Sequence, residues 1–259
     1  MYIAFILCNF KQQFQYRASL YMRLVGNMIR IYIQVCIWQS LIQKEVPTDQ
    51  TLIDLVSYTV IAFLIERLTH NETADTLAQK VKEGSIAIEL IRPFSLKWYL
   101  FYQQLSENTF SFLFIGLPVA LISAIFWHIR IAGVIELGLG FLSIVFAIFL
   151  SFNFQYAIGL LVFWVKDATY TRLITGGIVA LFSGSLIPLW FYPETFKKIC
   201  NFLPFRYMMF EPISIFLGQY TIKSCLDVLV IQLFWIVLLS LLAQFIWKNV
   251  QKSITIQGG

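Results

Sequence analysis

The stretch IELGLGFLSIVFAIFLSFNFQYAIGLLVFWV, residues 135–165, decides the fold class. Its only charged residue is Glu136, which stands at the start. About 20 consecutive apolar residues are enough for a helix to cross the hydrocarbon core of a bilayer. We therefore predict a membrane-spanning helix here. Because the stretch is longer than a straight crossing needs, we expect it to tilt or to extend beyond the membrane.

The whole chain shares the composition of this stretch. Of its 259 residues, 59% are hydrophobic, 17% are aromatic and 13% are charged, and the mean hydropathy is +0.74. A soluble domain is about half apolar and about a quarter charged, so this chain lacks the polar side chains to cover its own surface. The composition excludes an ordinary cytosolic enzyme. It predicts an all-α integral membrane protein with roughly six spans.

Hydropathy predicts six transmembrane helices in a single transmembrane domain, residues 1–259. An amphipathic helix at residues 1–20 precedes them, because apolar residues recur there at helical spacing. A signal peptide is the alternative, but no Lys or Arg precedes the apolar stretch and no small-residue cleavage site follows it, so we expect the helix to be retained. The six predicted spans are Leu24–Gln43, Leu52–Leu68, Glu107–Trp127, Ile135–Val165, Leu173–Phe191 and Asp227–Trp247.

The basic residues predict the orientation of the chain. With a cytoplasmic amino terminus, the inner segments hold twelve Lys and Arg residues and the outer segments hold six. Cytoplasmic loops are enriched in Lys and Arg, so we expect a multi-pass protein of a bacterial inner or plasma membrane with both termini cytoplasmic. The net charge of +5 then reflects topology and anchoring to membrane lipid. No nucleic-acid partner is expected, because no basic run is interleaved with aromatic residues.

Two segments are neither spans nor short connections. Residues 69–104 are predicted to be cytoplasmic and to contain a helix at Thr73–Glu83, with Gly84 as its C-cap. Residues 188–224, which we call the proline-rich segment, are apolar but cannot form one helix. Two short helices that dip into the outer leaflet are predicted, because irregular backbone at membrane depth must be buried in protein or line a cavity. The prolines that break the segment are Pro188, Pro193, Pro204 and Pro212.

Four acidic residues fall near the starts of predicted spans. At a helix start the interface is wet and the helix dipole favours a negative charge, so we interpret these residues as structural. A secondary transporter more often places a carboxylate at mid-span, where a charge is costly. The four residues are Asp54, Glu107, Glu136 and Asp227.

The sequence contains no motif of an ATP-binding or hydrolytic enzyme. The phosphate-binding pattern G-x-x-x-x-G-K-[ST] is absent, as are H-E-x-x-H and G-x-S-x-G. The four cysteines form no C-x-x-C pair and lie far from both histidines, so no metal or redox site is expected. Only Cys200 and Cys225 share a segment in which a disulfide can form. We expect this chain to bind no cofactor; an energy-driven activity would need a partner ATPase or an ion gradient.

Short motifs in a fixed order carry a family resemblance. Gly84 is followed at residues 90–93 by LIRP, which gives the pattern G-x5-L-x-R-P. Further along are GSLIPL at 184–189, FYP at 191–193 and LPF at 203–205. With the Tyr16-Arg17 pair ahead of the first span, these motifs resemble those of the small permease subunits of type-2 ATP-binding-cassette exporters. The resemblance covers essentially the whole chain.

The resemblance implies a six-span half-transporter that dimerises with a second permease, either the same chain or a paralogue. Separate cytoplasmic ATPase subunits would bind ATP and Mg²⁺. Residues 1–20 would be an interfacial elbow helix, residues 69–104 would contain the coupling helix that docks on the ATPase, and residues 188–224 would be an outer re-entrant pair. The implied ATPase-coupling residues are Lys80, Lys82, Glu83, Gly84, Leu90, Arg92 and Pro93.

Arg92 and Pro93 also have a purely structural interpretation. A proline stops the preceding element, and an arginine anchors a helix end at the lipid headgroups. The docking role of these two residues therefore rests on the resemblance.

A polar stripe lies within the first predicted span. Arg23, Asn27, Arg30 and Gln34 are spaced by four, three and four residues, which places them on one helix face. One hypothesis is that Asn27, Arg30 and Gln34 line a pathway, either inside the dimer or along a lateral access route for amphiphilic substrates. The alternative is that the arginines reach back to anionic headgroups. The sequence leaves both interpretations open.

The proline-rich segment has two interpretations as well. Its phenylalanines would be costly in water unless they pack. This favours a hydrophobic outer gate, formed with the partner permease, over a simple outer loop. The predicted gate residues are Pro188, Phe191, Pro193, Pro204 and Phe205.

These observations together predict the transmembrane subunit of an ATP-driven exporter. Its substrate would be hydrophobic or amphiphilic, such as a drug, a lipid or a peptide, and would cross the membrane by alternating access. A secondary transporter or channel driven by an ion gradient is the alternative. In neither case is the chain itself an enzyme.

Overall fold

The computed structural model describes residues 17–43, 51–86, 95–165 and 173–253, and these residues form helices and connections without strands. A π-helical stretch, Phe112–Gly116, lies within the helix Leu96–Phe126, and another, Leu173–Ile178, precedes the helix Val179–Ser183. The helices in chain order are α1 Arg17–Gln43, α2 Leu52–Thr69, α3 Thr73–Lys82, α4 Leu96–Phe126, α5 Val134–Leu160, α6 Val179–Ser183, α7 Glu194–Asn201, α8 Phe210–Phe216 and α9 Ile222–Ser253.

Three helices of the described part are long and apolar enough to cross a membrane. They are Leu96–Phe126, Val134–Val165 and Ile222–Gln251, the second being α5 extended by the short helical turn Val162–Val165. The first two predicted spans also form helices, α1 and α2, whose bounds enclose the predicted ones. The all-helical membrane class is confirmed, whereas the count of six spans stays a prediction.

The third predicted span begins much earlier in the structure than hydropathy indicated. Hydropathy predicts a start at Glu107, but α4 begins at Leu96, so Glu107 lies well inside the helix. The interpretation of Glu107 as a helix-start residue is therefore wrong. Hydropathy missed the first part of α4 because it carries Gln103 and Gln104, whose side chains hydrogen-bond within the protein.

The other three acidic residues lie nearer to helix starts. Asp54 forms a capping box with Thr51 at the start of α2, and Glu136 lies in the first turn of α5. Asp227 lies in the second turn of α9. The placement of Asp54 and Glu136 at helix starts is confirmed.

The fifth predicted span, Leu173–Phe191, is not one helix. The helical run ends at Ser183, and Gly184 follows with a φ of +77°, a conformation that glycine adopts without steric cost. The hydroxyl of Tyr58 on α2 donates a 2.6 Å hydrogen bond to the carbonyl of Gly184. This bond satisfies a carbonyl at the helix end and fixes the chain reversal against α2.

Helix α5 is the centre of the fold, in contact with α3, α8 and α9. Small residues on its buried face, including Gly140, Ser143 and Ala147, allow neighbouring helices to approach closely. The buried amide of Gln232 on α9 donates to the carbonyls of Ser143 and Tyr207, at 3.1 and 2.9 Å, and its oxygen accepts from the Ser143 hydroxyl. Its hydrogen bonds join α9, α5 and the proline-rich segment without leaving a buried polar group of the amide unpaired.

The short helix α3 lies against the carboxyl-terminal part of α5. Its residues Ala74 and Leu77 are completely buried, and they face Gly159 of α5. A Cβ atom at position 159 would lie 3.0 Å from the Cα of Ala74. Only glycine therefore permits this approach without displacing α3.

The proline-rich segment is not one helix, as its prolines predict, and it contains two short helices and two 3₁₀ turns; whether the helices dip into the outer leaflet stays a prediction. In chain order, these elements are the 3₁₀ turn Leu189–Phe191, α7, the 3₁₀ turn Phe205–Met208 and α8. Arg206 pairs with the buried carboxylate of Glu211 inside the segment. Cys200 and Cys225 are buried and free, so the disulfide considered from the sequence is not formed.

Several predicted elements lie outside the described residues. These are residues 1–16 of the expected elbow helix and the second half of the motif that resembles a coupling segment, with Leu90, Arg92 and Pro93. The Gly84 half of that motif is described. Helix α3 ends at Lys82, close to the predicted end at Glu83, and Gly84 has a φ of +73°, as expected of a residue that closes a helix.

The contact between α3 and α5 gives a stability prediction. Gly159→Ala should lower the free energy of unfolding by ~1–3 kcal/mol, because the new methyl group meets the backbone of Ala74. Thermal unfolding of the detergent-solubilised chain measures this change.

Gly138→Ala on the same helix is the matched control. No atom lies within 4 Å of a Cβ at position 138, so the substitution should be neutral or stabilise by up to ~1 kcal/mol through helix propensity. Equal melting temperatures for the two variants would show that α3 does not depend on the close approach.

Candidate functional site

The turn between α2 and α3 is held by side chains of α4. The amide nitrogen of Asn108 donates to the carbonyls of Leu68 and His70, both at 2.7 Å. Gln104 donates to the Asn108 side-chain oxygen at 2.9 Å and accepts from the backbone N–H of Glu72 at 3.0 Å. Together, Asn108 and Gln104 provide hydrogen-bond partners for backbone groups that the end of α2 leaves without partners.

Helix α5 holds the same turn from the other side. The hydroxyl of Ser151 donates a 2.8 Å hydrogen bond to the carbonyl of Thr69, and both residues are buried. Helix α3 therefore starts from a turn that is bonded to α4 and α5 and continuous with α2. A displacement of α3 has to move these three helices or break the hydrogen bonds of the turn.

The outer face of α3 is polar. Gln79, Lys82, Glu83 and Gly84 are exposed, and Gln79 donates a 2.8 Å hydrogen bond to the Glu83 carboxylate. Lys80 is half-buried, with its ammonium 5.4 Å from the centre of the Tyr99 ring of α4. Of the seven residues implied in ATPase coupling, the four that are described therefore lie together at the end of this helix.

An ion pair joins α1 to α2. The guanidinium of Arg30 lies 3.0 Å from one carboxylate oxygen of Glu66 and 3.4 Å from the other. Glu66 also contacts the guanidinium of Arg67 at 3.3 Å, and that guanidinium lies over the ring of Phe63. One carboxylate is thus shared by two arginines from neighbouring helices.

The rest of the polar stripe of α1 also bonds within the chain. Asn27 donates to the carbonyl of Arg23 at 2.6 Å, one turn back on its own helix. Gln34 contacts the carbonyl of Leu186, beyond the end of α6, at 3.4 Å. The stripe faces α2 and the connection after α6, although 43% of the Arg30 side chain remains exposed.

Two cavities border the turn after α2, and His70 and Glu72 line both of them. The larger, of about 520 Å³, lies among α1, α2 and α4, and the other, of about 370 Å³, lies between α2, α5 and α6. Residues that line the larger cavity include Leu20, Arg23, Arg67, Gln104, Glu107, Asn108, Phe110 and Ser111.

Two of the predicted gate residues contribute to the core of this chain. Pro204 is buried, and the Phe205 ring packs edge-on against Phe154 of α5, with 5.1 Å between ring centres. The apolar surfaces of both residues therefore pack against other residues of the same chain.

Of the other gate residues, Phe191 and Pro193 lie nearer to the surface, whereas Pro188 does not. Phe191 stacks on Trp38 of α1, with 5.6 Å between ring centres and 8° between ring planes. Pro193 is exposed at the start of α7, and Pro188 is buried. The contact between Phe191 and Trp38 connects the proline-rich segment to α1.

Sequence reasoning missed the residues that organise this region. Glu66 was not identified as the partner of Arg30, and Gln104 and Asn108 were not identified at all. Their spacing of four residues, followed by the apolar part of α4, is a signal for one polar helix face. The sequence does not show what this polar face contacts. In the structure it contacts the carbonyl groups at the end of α2.

Comparison with known proteins adds a family. A family model described as ABC-2 family transporter protein matches residues 48–258, which include the turn, α3, the smaller cavity and the proline-rich segment, but not the α1 residues that line the larger cavity. A comparison with curated proteins gives no match. Because the family model covers most of the chain, from the residues just before α2 to its carboxyl-terminal part, this protein belongs to the ABC-2 family of transporter membrane proteins.

Proposed function

We propose that this chain is the permease subunit of an ATP-driven exporter for hydrophobic or amphiphilic substrates. Two permeases, each with six spans formed by α1, α2, α4, α5, the residues around α6, and α9, line the pathway. Separate ATPase subunits bind ATP and Mg²⁺ and drive alternating access. Both termini and α3 lie on the cytoplasmic side of the cell membrane, and the proline-rich segment lies at the outer end.

The observation that carries this proposal is the placement of α3. Its apolar face is closely packed on α5, its polar face is exposed, and its first turn is bonded to α4. In a membrane subunit of this family that has no phosphate-binding motif, such a helix suits contact with a soluble ATPase. The exposed groups at Lys82, Glu83 and Gly84 are the proposed contact surface.

The hydrogen bonds of the turn supply a route for coupling. When an ATPase pushes on α3, the force reaches α2 through the chain and α4 through Asn108. It reaches α5 through Ser151 and the contact at Gly159. Rigid, hydrogen-bonded elements with two arrangements are the physical means by which distant sites become coupled.

Docking on the ATPase is tested by cross-linking. A cysteine at Lys82, in a background without the native cysteines, should form an adduct with the ATP-binding-cassette ATPase that copurifies with the chain. The expected reason is that position 82 is exposed at the end of α3, away from the packed face. Gel mobility and mass spectrometry of the adduct provide the measurement.

A cysteine at Lys198 is the matched control. Lys198 is an equally exposed lysine, but it lies on α7 in the proline-rich segment, which the proposal places at the opposite end of the molecule. An adduct at position 198, or none at position 82, would contradict the proposed docking surface.

The role of the turn is tested by an uncoupling variant. Asn108→Asp keeps the size of the side chain but removes the N–H donor that two carbonyls use. Substrate transported per ATP hydrolysed should fall about fivefold or more, the factor that corresponds to ~1 kcal/mol. ATP hydrolysis by the complex should persist, and flux and hydrolysis are measured in the same proteoliposomes.

Thr109→Val on the neighbouring position is the control for this variant. Among the residues that the structure describes, the Thr109 hydroxyl bonds only to the Leu105 carbonyl of its own helix, so its loss should leave the transport ratio unchanged. A normal ratio for Asn108→Asp, at equal expression, would remove the turn from the coupling route.

The polar stripe of α1 is proposed to line the pathway for the polar part of the substrate. Arg30→Ala should lower transport about tenfold, because Glu66 is then left with one cationic partner in a partly buried site. The double variant Arg30→Glu with Glu66→Arg should restore part of the lost transport if the ion pair between these two side chains is required. Unchanged transport by Arg30→Ala at equal expression would contradict the pathway role.

A further inference from the structure

The larger cavity beside α1 has walls of opposite charge. Arg23 and Arg67 line one part of it, from α1 and α2, and Glu107 of α4 lines another. Within the described part of the chain, Arg23 contacts the Ser111 hydroxyl at 3.5 Å, Glu107 accepts from Gln103 at 3.3 Å, and neither forms an ion pair. Opposite charges thus face one space of about 520 Å³ without pairing across it.

Arg67 lines this space beside Arg23. Its side chain is 15% exposed. Among the described residues, the single carboxylate that it contacts, Glu66, is also engaged by Arg30. An anionic oxygen is the acceptor that a guanidinium binds best.

The surroundings of the cavity indicate an amphiphile and not a free ion. Leu20 and Phe110 line the cavity beside the charged groups. Tyr21 and Met22, which follow Leu20 on α1, have side chains that are 67% and 77% exposed, so α1 presents an apolar surface at the level of the cavity. Acyl chains can lie along this surface while a polar headgroup occupies the cavity.

We infer that this cavity binds the headgroup of a zwitterionic phospholipid that carries a phosphate and a primary ammonium, such as phosphatidylethanolamine. The phosphate contacts Arg23 and Arg67, and the ammonium donates to Glu107. The proposed function is used only to assign the leaflet, which is the one on the side of α3. Binding itself requires neither the ATPase nor transport.

The inference is tested by native mass spectrometry of the full chain in detergent. Phosphatidylethanolamine, phosphatidylcholine and phosphatidylglycerol with identical acyl chains are titrated separately. Phosphatidylethanolamine should bind about tenfold more tightly than the other two, because it alone presents both a phosphate and an ammonium with N–H donors. Equal binding of the three lipids would overturn the inference.

Two variants separate the parts of the headgroup. Glu107→Gln should weaken phosphatidylethanolamine about tenfold and leave phosphatidylglycerol unchanged, because only the ammonium loses its partner. Arg23→Gln should weaken both lipids. Arg130→Gln, at an exposed arginine that pairs with Asp54 near the opposite end of α2, should weaken neither.

The remaining outcomes decide against the inference. If Glu107→Gln weakens phosphatidylglycerol as much as phosphatidylethanolamine, Glu107 does not bind the ammonium. If inorganic phosphate displaces the lipid at the same concentration as phosphatidylethanolamine itself, the site binds a free phosphate. Melting curves of each variant verify the fold. Because binding is measured without ATP, either failure leaves the proposed export function standing.

Discussion

The amide of Asn108, which donates to the carbonyls of both Leu68 and His70, is the interaction on which the rest of this structure depends. A helix leaves its last carbonyl groups without partners, and such groups need hydrogen-bond partners where they are buried in protein. By closing the end of α2 with a side chain of α4, the protein can turn sharply there. Helix α3 follows this turn at once, and the cavities lie on either side of it.

The same requirement explains the other polar contacts of the described residues. Gln232 bonds two carbonyls across three elements, and Glu66 accepts from arginines of two helices. Each of these groups would be costly in an apolar environment if it were left alone. Gln232 and Glu66 therefore serve as connections between helices, and an element that moves must exchange their contacts.

Much of this fold can be predicted from the sequence. The bounds of α2, the short helix α3 and the closing Gly84 follow from capping residues, helical spacing and glycine's tolerance of a positive φ. The proline-rich segment breaks as its prolines predict. The family motifs also point to the family that the comparison identifies.

The predictions that the structure contradicts, and the contacts that the sequence did not reveal, all depend on tertiary contacts. Hydropathy counts polar residues as outside the membrane, so it misplaced the start of α4, where Gln104 and Asn108 point into the protein. It also extended the fifth span beyond Ser183, because it cannot register a helix end that Tyr58 stabilises from another helix. Partners such as Glu66 for Arg30 lie 36 residues apart and depend on tertiary structure.

The central claim is that this chain converts ATP hydrolysis by a partner into movement of a substrate. Its most direct test is reconstitution in liposomes of the chain alone and of the chain with its copurified ATPase, with flux of an amphiphilic fluorescent substrate as the readout. The account predicts flux only when the ATPase and ATP are both present. Flux driven by a proton or sodium gradient through the chain alone would contradict it and would identify a secondary transporter or channel.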